Sequence, residues 1–387
     1  MHWQKRMAGL VIAQVLAQVL AQVMVLGLAW ATPGLAAGPS LAEMAGQMLM
    51  TGFRGQRLAE APETARALHT GQVGGVILFD YDVGSKSYGR NVASPAQVAA
   101  LTRELAAAAP VRPFIAVDQE GGRVMRLKSR TGFPDWPAAE ELGAPYVQNA
   151  APPQREAVRA TAQRMGVLLR EHGISLNFAP VLDVNTNPHN PIIGGIGRSF
   201  SSSPEVVATL GTAFMQGLLQ GGVLPCVKHF PGHGSSREDS HLGLPDVTTT
   251  WTGRELLPFK AAIDAGCPMV MTAHLFNAHW DPVLPATLSP RVLQGVLRGE
   301  LGFQGVIVSD DMQMGAITEH YGMREAIRLA VLAGVDVLVF GNNLHHDPAI
   351  ASKAHAMLLE LVASGEIPAA RIQASYARIM ALKGRLP

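Results

Sequence analysis

GVIVSDDMQMGAI, residues 305–317, decides how the rest of the chain is read. Val306, Ile307 and Val308 are β-branched and favour a strand. They run without polar alternation, the pattern of a strand covered on both faces in a parallel sheet. The run then ends on Ser309, Asp310 and Asp311. Seven other apolar runs have the same make-up: MLMTGF (48–53), GGVILF (74–79), PFIAVD (113–118), SLNFAPVLDV (175–184), LPCVKHF (224–230), PMVMTAH (268–274) and VDVLVFG (335–341).

The segments between these runs are longer and amphipathic, with helix signals at their ends. Ser94-Pro95, Ser203-Pro204 and Ser289-Pro290 each place an N-cap residue before a proline at the first helical position. Gly221-Gly222, Gly266 and Gly334 stop helices just ahead of the next strand. Such alternation predicts an α/β chain folded as a (β/α)₈ TIM-type barrel, a single catalytic domain over residues 39–387. A doubly wound open sheet is the alternative, but no Gly-rich phosphate turn follows the early runs.

Formal net charge is +1 over 387 residues, so nothing global steers the chain toward nucleic acid. A hydrophobic fraction of 48% with 16% charged residues fits a large buried core rather than disorder. Cys226 and Cys267 both lie in apolar runs and read as buried thiols, not a disulfide framework. Oligomeric state leaves no signature.

Residues 1–38 differ from the remainder. Lys5 and Arg6 precede an apolar stretch over 7–30 that is broken by Gln14, Gln18 and Gln22, and small residues follow in ATPGLAAGPS (31–40). This layout predicts a signal peptide and hence export, periplasmic or secreted. The stretch is also long enough for an uncleaved membrane anchor, the one route by which this chain would meet a membrane.

Barrel chemistry gathers at the C-terminal ends of the strands. Here those ends carry Asp118, Glu120, Arg123 and Arg126 after the third run, Asp183 and Arg198 after the fourth, Lys228-His229 on the fifth, His274 on the sixth, and Asp310-Asp311 on the seventh. Individually each has a structural reading: Asp183 binding backbone amides, His274 a satisfied strand-end histidine, Asp311 capping a turn. Lys228 is harder to place that way, because a lysine ending an apolar strand needs an acid or a ligand.

The fifth strand opens CVKHFPGHGSSREDSHLGLPD, residues 226–246. A zinc site is one reading of its histidines, but His229 and His233 are spaced as a helical ligand pair in a stretch that FPGHG keeps from being helical. A plain solvated loop is another. The third is a catalytic loop: Asp239 lies two residues from His241, close enough for the carboxylate to orient the imidazole for proton transfer.

Taken in order, VDQEGGRVMRL, NFAPVLDV, GRSF, KHFPGHG with DSHLGLP, PATLSP and GVIVSDDMQMGAI resemble the β-N-acetylhexosaminidase branch of glycoside hydrolase family 3, over about residues 40–385. The resemblance implies Asp310 as the nucleophile of a glycosyl-enzyme intermediate and His241, oriented by Asp239, as general acid and base. It also implies that Asp118, Arg126, Arg198, Lys228 and His229 bind the sugar, and that neither metal nor cofactor takes part. The implied substrate is a GlcNAc-containing glycan such as a peptidoglycan fragment, cleaved with retention. Two rival readings remain: a phosphorylase, since a neutral histidine base would not repel phosphate, and an inactive sugar-binding barrel. The predicted leader sets the chain apart from cytoplasmic recycling members of the branch.

Overall fold

The computed structural model describes residues 38–144, 152–240 and 243–386. The export or anchor reading falls on residues 1–38, nearly all outside the described set. Residues 41–387 form one compact unit.

Eight strands close a barrel: β1 (Leu49–Gly52), β2 (Gly75–Leu78), β3 (Phe114–Val117), β4 (Leu176–Asn177), β5 (Leu224–Phe230), β6 (Met269–Thr272), β7 (Val306–Asp311) and β8 (Val337–Phe340). Each strand pairs parallel with its neighbours in sequence, and β8 closes onto β1 with Leu338 beside Leu49. The apolar runs supply this wall because both of their faces are covered. Val306, Ile307 and Val308 are at most 1% exposed, and full burial of such a side chain contributes about 1.5–3 kcal/mol. A two-stranded hairpin, Tyr81–Asp82 with Ser87–Tyr88, stands after β2. Among the described residues no helix is long and apolar enough to cross a membrane.

The predicted helix starts hold in differing detail. Helix Pro95–Ala108 is capped by Ser94 Oγ, which accepts from Gln97 N at 3.2 Å. Helix Pro204–Gln220 begins where Ser203-Pro204 places it, but the Ser203 hydroxyl donates to Glu205 at 2.6 Å instead of capping. After Ser289-Pro290 the segment Arg291–Glu300 is π-helical, and Ser289 Oγ still accepts from Val292 N. Gly222, Gly266 and Gly334 have φ of +85°, +85° and +117°, left-handed turns that favour glycine.

One expectation needs correction. The run 175–184 forms a ladder only at Leu176–Asn177, because Pro180 has no N–H to donate. The chain beyond still tracks β5 irregularly: the Pro180 carbonyl accepts from Lys228 N (3.2 Å) and Leu182 N donates to Lys228 O (2.6 Å). That path carries Asp183 to the rim.

At the opposite end, ahead of β8, Asp336 is fully buried among cations. It accepts from Arg298 (2.8 Å), Arg371 (2.9 Å), Arg378 (3.2 Å), the Ser375 hydroxyl (2.7 Å) and Ile307 N (3.0 Å). It ties the last helix, Ala369–Lys383, to the base of the barrel. Asp336→Ala strands these cations, and urea unfolding should show a loss of about 3–5 kcal/mol. A loss under 1 kcal/mol would mean that the cluster is not holding the base shut.

Candidate active site

The C-terminal rim encloses a cavity of about 270 Å³. Its wall takes one residue or more from most of the strand ends: Ile77 of β2 and Phe79 just after it, Asp118 and Arg126 after β3, Arg198 from the loop after β4, Lys228 and His229 of β5, Met271 of β6, Asp310 of β7 and Val339 of β8. Six of the residues expected at the site, Asp118, Arg126, Arg198, Lys228, His229 and Asp310, therefore share this one cavity. Asp239 is half-buried on the following loop, and its neighbour Ser240 reaches the cavity wall. His241 lies outside the described residues.

The charged groups form an alternating ladder. Arg126 reaches Asp118 Oδ2 at 3.0 Å and Lys228 Nζ reaches Asp118 Oδ1 at 2.7 Å. The same ammonium lies 2.7 Å from Glu120, which receives the Arg198 guanidinium in two bonds of 2.7 and 2.8 Å. Burial alone would raise the Asp118 carboxyl, but Lys228 and Arg126 overcome it and hold the acid well below the usual range. Glu120 is lowered too, burial being outweighed by Arg198 and Lys228. Against their own burial, the acids raise Lys228 and Arg198. Asp118, Glu120, Lys228 and Arg198 are thus ionised at neutral pH, presenting fixed, charge-assisted donors and acceptors along the rim.

Arg198 also donates to His229 Nε2 at 3.3 Å, while His229 Nδ1 faces Asp183 Oδ2 at 2.6 Å. A guanidinium can only donate, so Nε2 is the acceptor of this pair and Nδ1 the nitrogen that faces the carboxylate. Asp183 does more than the structural reading assumed: besides this ring it accepts from the backbone N–H of His229 (3.2 Å) and of His233 (2.7 Å). It therefore fixes the whole turn that leaves β5. The turn packs closely against the rim, since a Cβ on Gly234 would lie 1.7 Å from the Val184 carbonyl oxygen. His233 is buried between the Ser236 and Ser240 hydroxyls at 2.8 and 3.1 Å, and burial lowers it to about 4. Protein groups thus face all four ring nitrogens of His229 and His233, and among the described residues no group of three His, Cys, Asp or Glu side chains is arranged to hold a metal.

β7 ends as its sequence suggested. Asp310 lines the cavity and accepts from Asp311 N at 2.8 Å. Asp311 accepts from Gln313 N (3.0 Å) and Gly341 N (2.9 Å), a role that joins β7 to β8. His274 stands behind this pair, bonded to Thr287 and to the Asp311 carbonyl. Arg123 is exposed. The loop bearing Asp239 returns to the continuation of β7, as the Ser240 carbonyl accepts from Ala316 N at 3.3 Å. Both cysteines are buried; burial pushes the Cys267 thiol up to about 12 and the Cys226 thiol well above its ordinary value.

Sequence reasoning gave no role to Glu120, His233 or the apolar wall of Phe79, Phe178 and Met271. Two-residue alternation, which puts Glu120 on the same face as Asp118, was the available signal for the first.

The site has a consequence for acid stability. Asp118, Glu120 and Asp183 are lowered in the fold, so their stabilisation is present above their ordinary values and is lost as pH falls. His233 acts in the same sense, since it drops from 6.5 in the unfolded chain to about 4 in the fold. Stability should therefore fall from about pH 6.5 to about pH 4, by roughly 3 kcal/mol from His233 alone. Urea midpoints measured across that range check this; a flat profile contradicts it.

A closed parallel barrel with a charged pocket at its C-terminal rim and an acid ending a buried strand there is the layout in which barrel enzymes place their active sites. The chain belongs to glycosyl hydrolase family 3: the family's N-terminal domain matches residues 40–382. It is 39% identical over 297 residues to a beta-hexosaminidase of Stenotrophomonas maltophilia, covering 76% of this chain and 82% of that one. To beta-hexosaminidase A of Pseudoalteromonas piscicida it is 35% identical over 350 residues, covering 84% of this chain and 56% of the other. A solved glycoside hydrolase family 3 beta-N-acetylglucosaminidase from Paenibacillus superposes with a TM-score of 0.81 at 40% identity, covering 90% of this chain and 62% of that one. The chain thus spans a little over half the length of two of these relatives.

Proposed function

We propose that this protein is a retaining exo-β-N-acetylglucosaminidase that removes terminal β-linked GlcNAc from peptidoglycan fragments or related oligosaccharides. One observation carries the reading: Asp310, at the end of a buried strand, shares a single small cavity with Asp118, Arg126, Lys228 and Arg198 of the charged ladder. Relatives named beta-hexosaminidase support the choice of sugar. Asp118, Arg126, Lys228, Arg198 and His229 hold the hydroxyls of the terminal residue so that its C1 faces Asp310. Asp310 attacks C1 as the imidazolium of His241, oriented by Asp239, gives its proton to the departing oxygen. The neutral imidazole then takes a proton from an incoming water, which displaces Asp310 and releases GlcNAc with β configuration. The leader would deliver the enzyme out of the cytoplasm, where such fragments are formed from the wall; N-terminal sequencing of a periplasmic fraction checks that part.

The test is initial rates on 4-nitrophenyl β-GlcNAc and β-glucoside, with and without phosphate. Turnover of the GlcNAc compound alone, unaffected by phosphate, supports the proposal. Release of a sugar 1-phosphate would make the site a phosphorylase, and no turnover of either compound by the folded protein would leave a binding barrel.

A further inference from the structure

Glu255 lies outside the cavity, in the turn Gly253–Leu256 ahead of helix Leu257–Asp264, and is 1% exposed. Neither of its carboxyl oxygens has a hydrogen bond of normal geometry among the described residues, although the Ser235 hydroxyl and the backbone of Ser235 and Thr252 lie close by and offset part of the effect of burial. What it touches is the turn that leaves β5. A Cβ placed on Gly232, which has φ +122°, would sit 2.9 Å from both Cβ and Oε2 of Glu255 and 3.3 Å from Trp251 Nε1. Trp251 in turn donates to the Pro231 carbonyl at 3.1 Å. Asp183 grips the same turn through His229 N and His233 N. One turn is thus held by two buried acids: Asp183 accepts well-formed hydrogen bonds from it, whereas at Glu255 burial outweighs the nearby Ser235 and Thr252 groups.

We propose that Glu255 is a positioning residue: as an uncharged acid packed against the Pro231–Gly234 turn, it sets where the following segment, through Asp239, rests, and its ionisation displaces that segment and stops turnover. The inference rests on the assignment of Asp239 and His241 to proton transfer. Its physical ground is that an ionised carboxylate buried without partners is costly. Burial raises Glu255 to about 8, and the Asp183 charge adds to the rise. The other titratable groups around it do not offset this. His233, on the turn, is neutral, and Arg254, next in the chain, is paired with Glu205 at the surface. When Glu255 ionises, its charge must find water or move away from Asp183, and either shifts the turn wedged against it.

The experiment compares wild type, Glu255→Gln and Glu255→Ala on dinitrophenyl β-GlcNAc, whose leaving group needs no proton, from neutral pH upward. Thermal unfolding is followed at each pH to exclude loss of fold, and Trp251 fluorescence is recorded alongside. Wild type should lose kcat, which with this leaving group is set by the water step and its base, above about pH 8 while folded. Glu255→Gln, which keeps the shape of the neutral acid, should match wild type at neutral pH and hold its rate about one pH unit further or more. Glu255→Ala should be slow at every pH. A coincident alkaline limb in wild type and Glu255→Gln would overturn the proposal, as would a folded Glu255→Gln that is inactive at neutral pH. If wild type turns over no β-GlcNAc compound, the functional reading fails by itself. The fluorescence step near pH 8, present in wild type and absent in Glu255→Gln, then still decides whether Glu255 moves the turn.

Discussion

Asp310→Asn is expected to lower kcat on 4-nitrophenyl β-GlcNAc by about 10⁴- to 10⁶-fold, the scale on which removing an enzyme's nucleophile acts. The change should leave stability nearly intact: Asp310 is half-buried at the cavity wall, and an amide keeps the oxygen that accepts from Asp311 N. KM should change little, since the charged ladder proposed to hold the sugar does not pass through this residue. A further check uses azide as an outside nucleophile. With no carboxylate to form the intermediate, azide should restore turnover and give the α-configured glycosyl azide, readable by proton NMR. A variant that keeps more than a tenth of wild-type activity would move the nucleophile elsewhere and undo the roles assigned around it.

The second large effect should depend on the leaving group. His241→Ala is expected to cost about 10²- to 10⁴-fold with a sugar leaving group, which needs a proton to depart. With dinitrophenolate, a stable anion, the bond-breaking step should lose far less, and a glycosyl-enzyme should accumulate as a burst because the base for water is also missing. Asp239→Asn should show the same pattern more weakly, since it only orients the imidazole. Equal losses on both substrates would show that the loop binds the sugar and transfers no proton.

The barrel was legible because covered parallel strands leave a local mark: uninterrupted Val, Ile, Leu and Phe, closed by glycine and serine-proline signals. Where the mark was misleading, as in 175–184, a proline inside an otherwise strand-like run broke the ladder, and only the partner strand reveals where pairing stops. Strand ends also announced most of the pocket, because a lysine or aspartate terminating such a run has nowhere to go but the rim. The pairings between them were not legible. Lys228 meets Asp118 across 110 positions and His229 meets Asp183 across 46, contacts made by barrel closure and not by any spacing in the chain. Glu255 was missed for a related reason: in GREL it reads as an ordinary acid at a helix start, and only the tertiary fold brings the Gly232 turn down on it.

The ladder Arg126–Asp118–Lys228–Glu120–Arg198 also constrains how this pocket can change over generations. Each inner member faces two opposite charges and each end member one, so any single replacement leaves an unmatched charge and must await a second before the protein recovers. Paths that need two coordinated mutations are rarely taken. New sugar preferences should therefore arise on the apolar side, at Phe79, Phe178 or Met271, where one codon change reshapes the wall without disturbing its charge.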